Sequence, residues 1–222
     1  NMVGVAAGMA LGGMVPFAAS FACFITGRFE QIRMSVGYNN ANVRIVGTHS
    51  GCGIGEDGYS QMGLEDLALM RSLPNMVVIQ PADAIETVKA TEFLADYVGP
   101  AYLRLTRQGV DDIHGADYKF EFGSAEELRG GADLAIVASG GVVAYALRAA
   151  EQLAKALAKN PADAGVRLRI ADHAYAKGDT SALRRALAEA LQAGSKGAEI
   201  REAVELIEGA SLLEPYRADG RK

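Results

Sequence analysis

The stretch VRIVGTHSGCGIGEDGYSQMGLED, residues 43–66, decides the fold and holds the candidate functional residues. Its apolar start, interrupted by Arg44, ends at Gly47, and five more glycines precede the helical pattern of residues 64–73. A strand, a glycine-rich turn and a helix start place polar groups at the carboxyl end of a parallel strand. The polar residues of interest are His49, Glu56, Asp57 and Gln61. We therefore expect the functional site at this turn.

The composition is typical of a soluble globular protein, with 222 residues of which 50% are hydrophobic and 22% charged. That length allows one or two domains. A net charge of −5 and the absence of a basic stripe argue against a nucleic-acid partner. The two cysteines, Cys23 and Cys52, form no spaced framework, which predicts free thiols in a reducing, cytoplasmic compartment.

The amino-terminal run is uncharged as far as Arg28, a pattern that also suits a membrane segment. Gly12, Gly13 and Pro16 interrupt it, and no cationic residue precedes it as in a signal peptide. We predict instead a buried helix over residues 3–11, with a subunit contact as one way to bury it, and a buried strand over residues 15–25. The phenylalanines of that strand, in their simplest interpretation, are core residues: Phe17, Phe21 and Phe24.

The next segments alternate between helix and strand. Residues 29–36 are amphipathic, residues 76–79 and 101–105 are short apolar runs, and Asp83 is placed to cap a helix. This alternation predicts an α/β fold with a mostly parallel sheet and helices on both faces, within a first domain of residues 1–114.

A polar connection over residues 111–123 separates this domain from a partial second α/β unit over residues 124–172. We expect that unit to contain a strand over residues 133–139, a helix over residues 142–157 and a faint strand pattern over residues 166–172. Residues 173–222 are predicted to form a helical tail with helices over residues 182–193 and 198–207.

Gly53, Gly55 and Gly58 spell the dinucleotide-binding fingerprint, but their context argues against it. Five residues separate Gly47 from Gly53, whereas the fingerprint follows its strand directly. No acid ends the next strand to bind a ribose hydroxyl, and Glu56 and Asp57 would repel a pyrophosphate. A more favourable grouping is His49, Asp57 and Arg107 at the carboxyl ends of neighbouring strands, with a structural histidine as the alternative interpretation of His49.

Residues 1–114 resemble the pyrimidine-binding domain of thiamine-diphosphate-dependent transketolases, in the form often encoded as a separate C-terminal half. The matching blocks are residues 1–8, 21–24, 30–33, 47–49, 55–58, 64–66, 74–76, 81–83 and 105–108. Residues 124 to 157 are similar to the start of the family's C-terminal domain, and the resemblance fades beyond residue 160.

The resemblance implies roles for individual residues. Phe21 and Phe24 match aromatic residues around the cofactor's aminopyrimidine. His49 matches a histidine that contacts the sugar substrate, Asp57 an aspartate that binds a sugar hydroxyl, and Arg107 an arginine that holds the substrate phosphate. Thiamine diphosphate would supply the carbanion chemistry, while protein groups bind, orient and move protons.

Three departures from the family pattern accompany the resemblance. The family's catalytic glutamate would lie two residues before Asn1, and the chain starts without an initiator methionine, as a fragment or processed chain does. Gln61 replaces a second histidine, so the catalytic candidates are His49 and Gln61. No diphosphate-binding domain or metal motif is expected in this chain, so a partner would hold the diphosphate with magnesium or calcium.

Two interpretations follow. In the first, the chain is a transketolase-type subunit for two-carbon ketol transfer between sugar phosphates, inactive alone and completed by an N-terminal half in a homo- or hetero-oligomer. In the second, it is a non-catalytic truncated module that dimerises or binds a partner. A third, a relative in deoxyxylulose phosphate synthesis or a 2-oxoacid dehydrogenase beta subunit, fits the sequence from Gly55 to Gly58 less well.

Overall fold

The structure is a computed structural model that describes residues 1–131 and 135–159. Contacts between residues divide the chain into two units, and the first, residues 1–127 with residues 137–146, contains the sheet. The predicted tail helices and the strand pattern of residues 166–172 lie outside the described residues. Within the described part, no helix is both long and apolar enough to cross a membrane.

Four parallel strands form the sheet: β1 (Phe17–Phe21), β2 (Arg44–Thr48), β3 (Val77–Ile79) and β4 (Ala101–Arg104). Their order is β1-β2-β4-β3, so the last of these four strands along the chain lies inside the sheet. Ser20 is opposite Gly47, and Gly47 is opposite Arg104. The segments that follow β1, β2 and β4 therefore leave the sheet at one shared edge, which confirms the predicted parallel arrangement.

The helices are α1 (Met2–Leu11), α2 (Ala22–Thr26), α3 (Phe29–Gln31), α4 (Asp66–Arg71), α5 (Ala84–Asp96) and α6 (Val143–Lys159). A π-helix, Ile32–Gly37, continues α3, and a 3₁₀ turn, Gly140–Val142, leads into α6. Asp83 caps α5 through its side chain, which accepts a hydrogen bond from the backbone N–H of Glu86, as predicted.

Successive residues of the central strands face opposite sides of the sheet. Ile45 and Tyr102 belong to an apolar cluster that also contains buried residues of α1, the π-helix and α4. Val46 and Leu103 belong to a second cluster with Ala90 and Leu94 of α5. Helices thus cover both faces of the sheet, as the alternation of strands and helices along the sequence predicts.

Arg44 lies inside β2 with no exposed surface. Its guanidinium donates hydrogen bonds to the carbonyl oxygens of Leu94 (2.6 Å), Gly99 (3.1 Å) and Tyr97, and to Asn42 Oδ1 (2.7 Å). Burial lowers the pKa of Arg44 from its ordinary value. The charge nevertheless stabilises the carboxyl end of α5, where carbonyl groups lack helical partners.

The predicted strand over residues 15–25 is wrong in extent. The strand ends at Phe21 and helix α2 begins at Ala22. Phe17 and Phe24 are 42% and 54% exposed, so they are not core residues within this chain. An unbroken apolar run does not by itself distinguish a strand from a short helix, because both bury such residues.

Helix α1 is only half buried, contrary to the prediction from its composition. Val3, Ala6 and Ala7 contact the core, whereas Met2, Val5, Met9 and Leu11 are exposed. The strand predicted over residues 133–139 of the second α/β unit is also wrong in its described part, since residues 135–139 form no strand. The side chains of Ile136 and Val137 are exposed rather than packed in a sheet.

The connection after β4 returns to the start of α5. His114 Nδ1 lies 2.8 Å from Asp83 Oδ2, and His114 Nε2 lies 3.1 Å from Glu126 Oε2. The Asp83 carboxylate also accepts hydrogen bonds from the backbone N–H groups of Glu86, Ile113 and His114. These contacts attach the polar connection to the first domain.

Candidate functional site

Three aromatic rings stack at the carboxyl edge of the sheet. His49 directly follows β2, and its ring lies 3.8 Å from that of Phe21, at 16° between the planes. Phe21 stacks in turn on Phe24, with 5.5 Å between centroids and 3° between planes. We call these three residues the ring stack. Because Phe24 is 54% exposed, the stack leaves an aromatic surface open.

The backbone at His49 adopts an uncommon conformation, with φ of 54°. Its Nδ1 lies 3.0 Å from the hydroxyl of Thr48, the last residue of β2. The left-handed turn at this position ends the strand and directs the imidazole toward Phe21 on the neighbouring strand. The carboxyl end of β2 therefore fixes the histidine within the ring stack.

Asp57 and Arg107 form an ion pair at the same edge, with 3.2 Å between Arg107 Nη1 and Asp57 Oδ2. Their side chains are 37% and 42% exposed, so we call them the exposed pair. Arg107 also donates a hydrogen bond to the carbonyl oxygen of Ile54. Gly55 lies next to Ile54 with φ of 72°, a conformation that glycine adopts without strain.

The loop that carries Asp57 is fixed at both ends. Gly51 donates a backbone hydrogen bond to Gly63 at 2.8 Å, which joins the start of the loop to its end. The backbone N–H and the hydroxyl of Ser50 both donate to the carbonyl oxygen of Leu105, at 3.1 and 2.8 Å. Leu105 follows β4, so the loop is attached to the segment that carries Arg107.

A second arginine and aspartate, Arg104 and Asp66, form an ion pair beneath this loop, and we call them the buried pair. Asp66 accepts hydrogen bonds from Arg104 Nε at 2.7 Å and Nη2 at 3.1 Å, and from the Tyr102 hydroxyl at 2.7 Å. Arg104 Nη2 also donates to the carbonyl oxygen of Gly63 at 3.2 Å. Burial, and next the charge of Asp66, raise the pKa of Tyr102.

Gly47 makes room for this network. A Cβ atom at Gly47 would lie 2.0 Å from the Tyr102 hydroxyl oxygen, which is far inside van der Waals contact. Sequence reasoning missed both Tyr102 and the buried pair. The sequence contains one indication of this ion pair: Arg104 directly follows the apolar residues of a strand. A cation that is buried there requires an acidic partner.

The structure brings some predicted residues together and leaves others apart. His49 contacts Phe21, and Asp57 contacts Arg107, but among the described residues no hydrogen bond, ion pair or ring contact joins the two groups. Gln61 is half-buried at the end of the 3₁₀ turn Tyr59–Gln61. The functional roles assigned to these residues from the resemblance stay predictions.

The two cysteines are free thiols, with Cys52 exposed in the loop. Within the described residues, no group of three or more His, Cys, Asp or Glu side chains is arranged to hold a metal ion.

The fold and this edge define an α/β domain whose parallel sheet carries an aromatic stack and an ion pair at its carboxyl end. Residues 1–111 match the family described as transketolase, pyrimidine binding domain. The chain belongs to that family, and the resemblance noted from its residues is confirmed. Membership in a transketolase family implies the use of thiamine diphosphate.

The similar proteins include a transketolase section and a transketolase subunit. The chain is 46% identical over 156 residues to a putative transketolase C-terminal section of Methanocaldococcus jannaschii, covering 69% of this chain and 49% of that protein. It is 34% identical over 192 residues to one of the subunits of the apulose-4-phosphate transketolase of Phocaeicola vulgatus, covering 85% and 59%. The chain thus spans about half the length of these two relatives.

A solved structure is also similar. It is described as a split gene transketolase, inactive beta4 tetramer, and it matches with a TM-score of 0.63 and 46% sequence identity. The match covers 68% of this chain and 49% of that chain.

Proposed function

We propose that this chain forms the pyrimidine-binding and substrate-binding side of a thiamine diphosphate site for two-carbon ketol transfer between sugar phosphates. The observation that carries this proposal is the open ring stack beside an exposed arginine–aspartate pair at one sheet edge. A partner half would bind the diphosphate through magnesium or calcium. When bound, thiamine diphosphate supplies the carbanion chemistry.

Phe21 and Phe24 would hold the aminopyrimidine ring. Their planes are within 3° of parallel, and Phe24 has more than half of its surface accessible. Stacking on a pre-aligned aromatic surface contributes about 0.5–1.5 kcal/mol beyond the burial of area. His49 lies at the other end of the ring stack, where its imidazole is held for contact with a substrate.

Arg107 would bind the phosphate of the sugar and Asp57 one of its hydroxyl groups. In the structure these two side chains bind each other, so substrate must replace that contact. An exposed ion pair stabilises a protein by only about 0.2–1 kcal/mol, and the exchange therefore costs little. The guanidinium then gains charge-assisted hydrogen bonds to phosphate, which are stronger than neutral ones.

The partner half follows from the relatives rather than from this chain's own geometry. Two relatives are named as a C-terminal section and a subunit, and this chain covers 49% of the first and 59% of the second. The similar solved structure is described as inactive. By analogy, we expect this chain to bind thiamine diphosphate weakly and to turn over no sugar phosphate without its partner half.

Reconstitution tests this proposal. The purified chain is mixed with the N-terminal half of a split transketolase, thiamine diphosphate and magnesium, and both cofactor binding and ketol transfer from a ketose phosphate to an aldose phosphate are measured. We expect the mixture to bind thiamine diphosphate more tightly than either half alone, and any transfer to occur only in the mixture. Steady transfer by this chain alone, or a complex of both halves that binds the cofactor no more tightly than either half, would contradict the proposed division of the site.

Matched variants separate the two sides of the site. Phe24→Ala should weaken thiamine diphosphate binding by the mixture about tenfold through lost stacking. Phe122→Ala is its control, because Phe122 is similarly exposed but stacks on Phe93 of α5. Arg107→Ala should raise KM for the sugar phosphate about 10- to 100-fold, the value of a charge-assisted hydrogen bond, and leave cofactor affinity unchanged.

One observation favours the alternative of a non-catalytic, self-associating module. Met2, Val5 and Met9 of α1 are exposed at helical spacing, so they form one apolar face. Such a face is characteristic of a subunit contact. Light scattering with and without the partner half distinguishes the two: a stable homo-oligomer that never exchanges for the partner half would favour the module.

A further inference from the structure

The hydroxyl of Thr48 lies between a backbone carbonyl oxygen and a ring nitrogen of His49, and these two groups determine to which of them it donates its hydrogen. Its Oγ1 is 3.3 Å from the carbonyl oxygen of Ser20 and 3.0 Å from Nδ1 of His49. A carbonyl oxygen only accepts hydrogen bonds, and a hydroxyl has a single hydrogen to donate. Both contacts are hydrogen bonds at the same time only if Thr48 donates to Ser20 and accepts from His49.

We propose that Thr48 is a positioning residue that holds neutral His49 in the tautomer with its proton on Nδ1. Nε2 then carries a lone pair and accepts hydrogen bonds. No described residue forms a hydrogen bond with Nε2. That nitrogen is consequently available to a ligand.

Contacts of the His49 ring and the conformation of its backbone oppose a flip of the imidazole. The face of His49 is stacked on Phe21 at 3.8 Å, so a flip of the ring would have to break that contact. Its backbone is held in the left-handed region, and its neighbour Thr48 is paired with Phe21 in the sheet. Ser20, whose carbonyl oxygen accepts the Thr48 hydrogen bond, belongs to the same strand as Phe21.

The tautomer selects the kind of substrate group that His49 meets. A neutral imidazole with a free Nε2 lone pair accepts from a hydroxyl, whereas the opposite tautomer would donate to a carbonyl oxygen. The group opposite Nε2 is therefore a hydrogen-bond donor, and a hydroxyl of the sugar is such a group. This last step rests on the proposed function, but the tautomer itself is a property of this chain alone.

The direct test is long-range ¹H–¹⁵N NMR of the full-length chain at a pH where imidazoles are neutral. The sequence has three histidines, so the His49 signals are identified by their loss in His49→Gln. We expect the pyrrole-type ¹⁵N shift at Nδ1 and the pyridine-type shift at Nε2. A pyridine-type shift at Nδ1 and a pyrrole-type shift at Nε2 in the wild-type chain would overturn the proposal, irrespective of the results with the variants.

Two substitutions at Thr48 test its part in this arrangement. Thr48→Val keeps the shape and removes the hydroxyl, so the His49 shifts should move toward a mixture of tautomers. Thr48→Ser keeps the hydroxyl and should retain the wild-type pattern. Matching amide spectra establish that each variant is folded. A folded Thr48→Val protein with wild-type His49 shifts would refute the role of Thr48. If Thr48→Val does not fold, Thr48→Ser decides the question: a folded Thr48→Ser protein with altered His49 shifts would refute that role.

The reconstituted enzyme supplies a second measurement. Thr48→Val should lower kcat/KM about tenfold, the effect of one hydrogen bond, and Thr48→Ser should recover most of it. If the complex of the two halves binds thiamine diphosphate no more tightly than either half, the proposed function fails while the NMR result still decides the tautomer. If transfer occurs and the tautomer is reversed, only the present inference fails.

Discussion

Two arginine–aspartate pairs lie near the carboxyl end of β4, and they differ in burial. The side chains of the buried pair, Arg104 and Asp66, are 10% and 0% exposed, with hydrogen bonds from two guanidinium nitrogens to the carboxylate. The exposed pair, Arg107 and Asp57, has one contact of 3.2 Å and side chains about 40% exposed. The same two residue types thus form a buried support for the loop and an exposed pair, which the proposed function assigns to substrate binding.

The difference follows from the water around each pair. A buried carboxylate without its cation is strongly destabilising, so Asp66 and Arg104 must remain paired in the folded state. Water and salt screen the exposed pair, which makes its exchange for a substrate inexpensive. The buried pair also binds the carbonyl oxygen of Gly63, and it thereby fixes the end of the loop that carries Asp57.

The largest expected effect comes from breaking the buried pair. Asp66→Ala should lower the free energy of unfolding by about 3–5 kcal/mol, because it leaves Arg104 buried without a counter-charge. Denaturant unfolding followed by circular dichroism measures this loss. Asp57→Ala is the matched control and should cost less than about 1 kcal/mol. Equal losses in the two variants would show that burial does not distinguish the pairs.

A third aspartate extends the comparison to a partner other than arginine. Burial alone would raise the pKa of Asp83, but hydrogen bonds from the backbone of Glu86, His114 and Ile113 and from the His114 side chain hold it below its ordinary value. A lowered carboxyl pKa stabilises the fold above the unfolded-state pKa of about 3.9, and this contribution is lost as pH falls through the folded-state pKa.

Asp83→Asn should therefore cost about 1–2 kcal/mol near neutral pH, the value of hydrogen bonds to a charged group. The difference from the wild type should shrink as pH falls below about 4. Unfolding at pH 7 and pH 3 measures both quantities. Asp96→Asn, at an exposed position of the same helix, is the control. A deficit that persists unchanged in acid would exclude the carboxylate as its source.

Tyr102→Phe tests the neutral hydrogen bond to the buried pair. Removal of its hydroxyl should cost about 1 kcal/mol, since Asp66 keeps both contacts from Arg104. Tyr38→Phe, at an 80% exposed position, should cost nothing measurable. A loss as large as that of Asp66→Ala would mean that Tyr102, rather than the ion pair, holds Asp66 in place.

The smallest effect concerns the exposed pair itself. A double-mutant cycle with Arg107→Ala and Asp57→Ala should give a coupling energy of about 0.2–1 kcal/mol. Because exposed charges are screened, the coupling should fall further at about 1 M salt. Chemical denaturation at two salt concentrations measures it. A larger, salt-insensitive coupling would remove the argument that substrate exchanges easily with this pair.

The parallel sheet could be predicted because strong local patterns coincide with it. Apolar runs ending in glycine or arginine alternate with amphipathic segments, and Asp83 has the position and chemistry of a helix cap. The strand over residues 15–25 could not be delimited, because exposed apolar residues on an edge strand and on a partly buried short helix resemble core residues. Phe17 and Phe24 are of a residue type that is common in protein cores, but their side chains are exposed.

The candidate site was predictable only as a set of residues at one edge. Spacing placed His49, Asp57 and Arg107 after strands, but it contains no information on which arginine pairs with which aspartate. Asp66 and Arg104 are separated by 38 positions, and their contact depends on the packing of α4 against the sheet. The hydrogen bond from His49 to Thr48 depends on a backbone angle that no sequence pattern specified.

The strand order also constrains how the chain acquires its structure. β4 is the last of the four strands to be synthesised, yet it lies between β2 and β3. A nascent chain that ends before Ala101 therefore has an unpaired inner edge on β2 and leaves β3 without a neighbour. Unpaired edges are prone to aggregate, and pairing between distant segments slows folding. The four-stranded sheet forms only after residues 101–104 have left the ribosome, and until then the edges of β2 and β3 that β4 will cover are open to association with other chains.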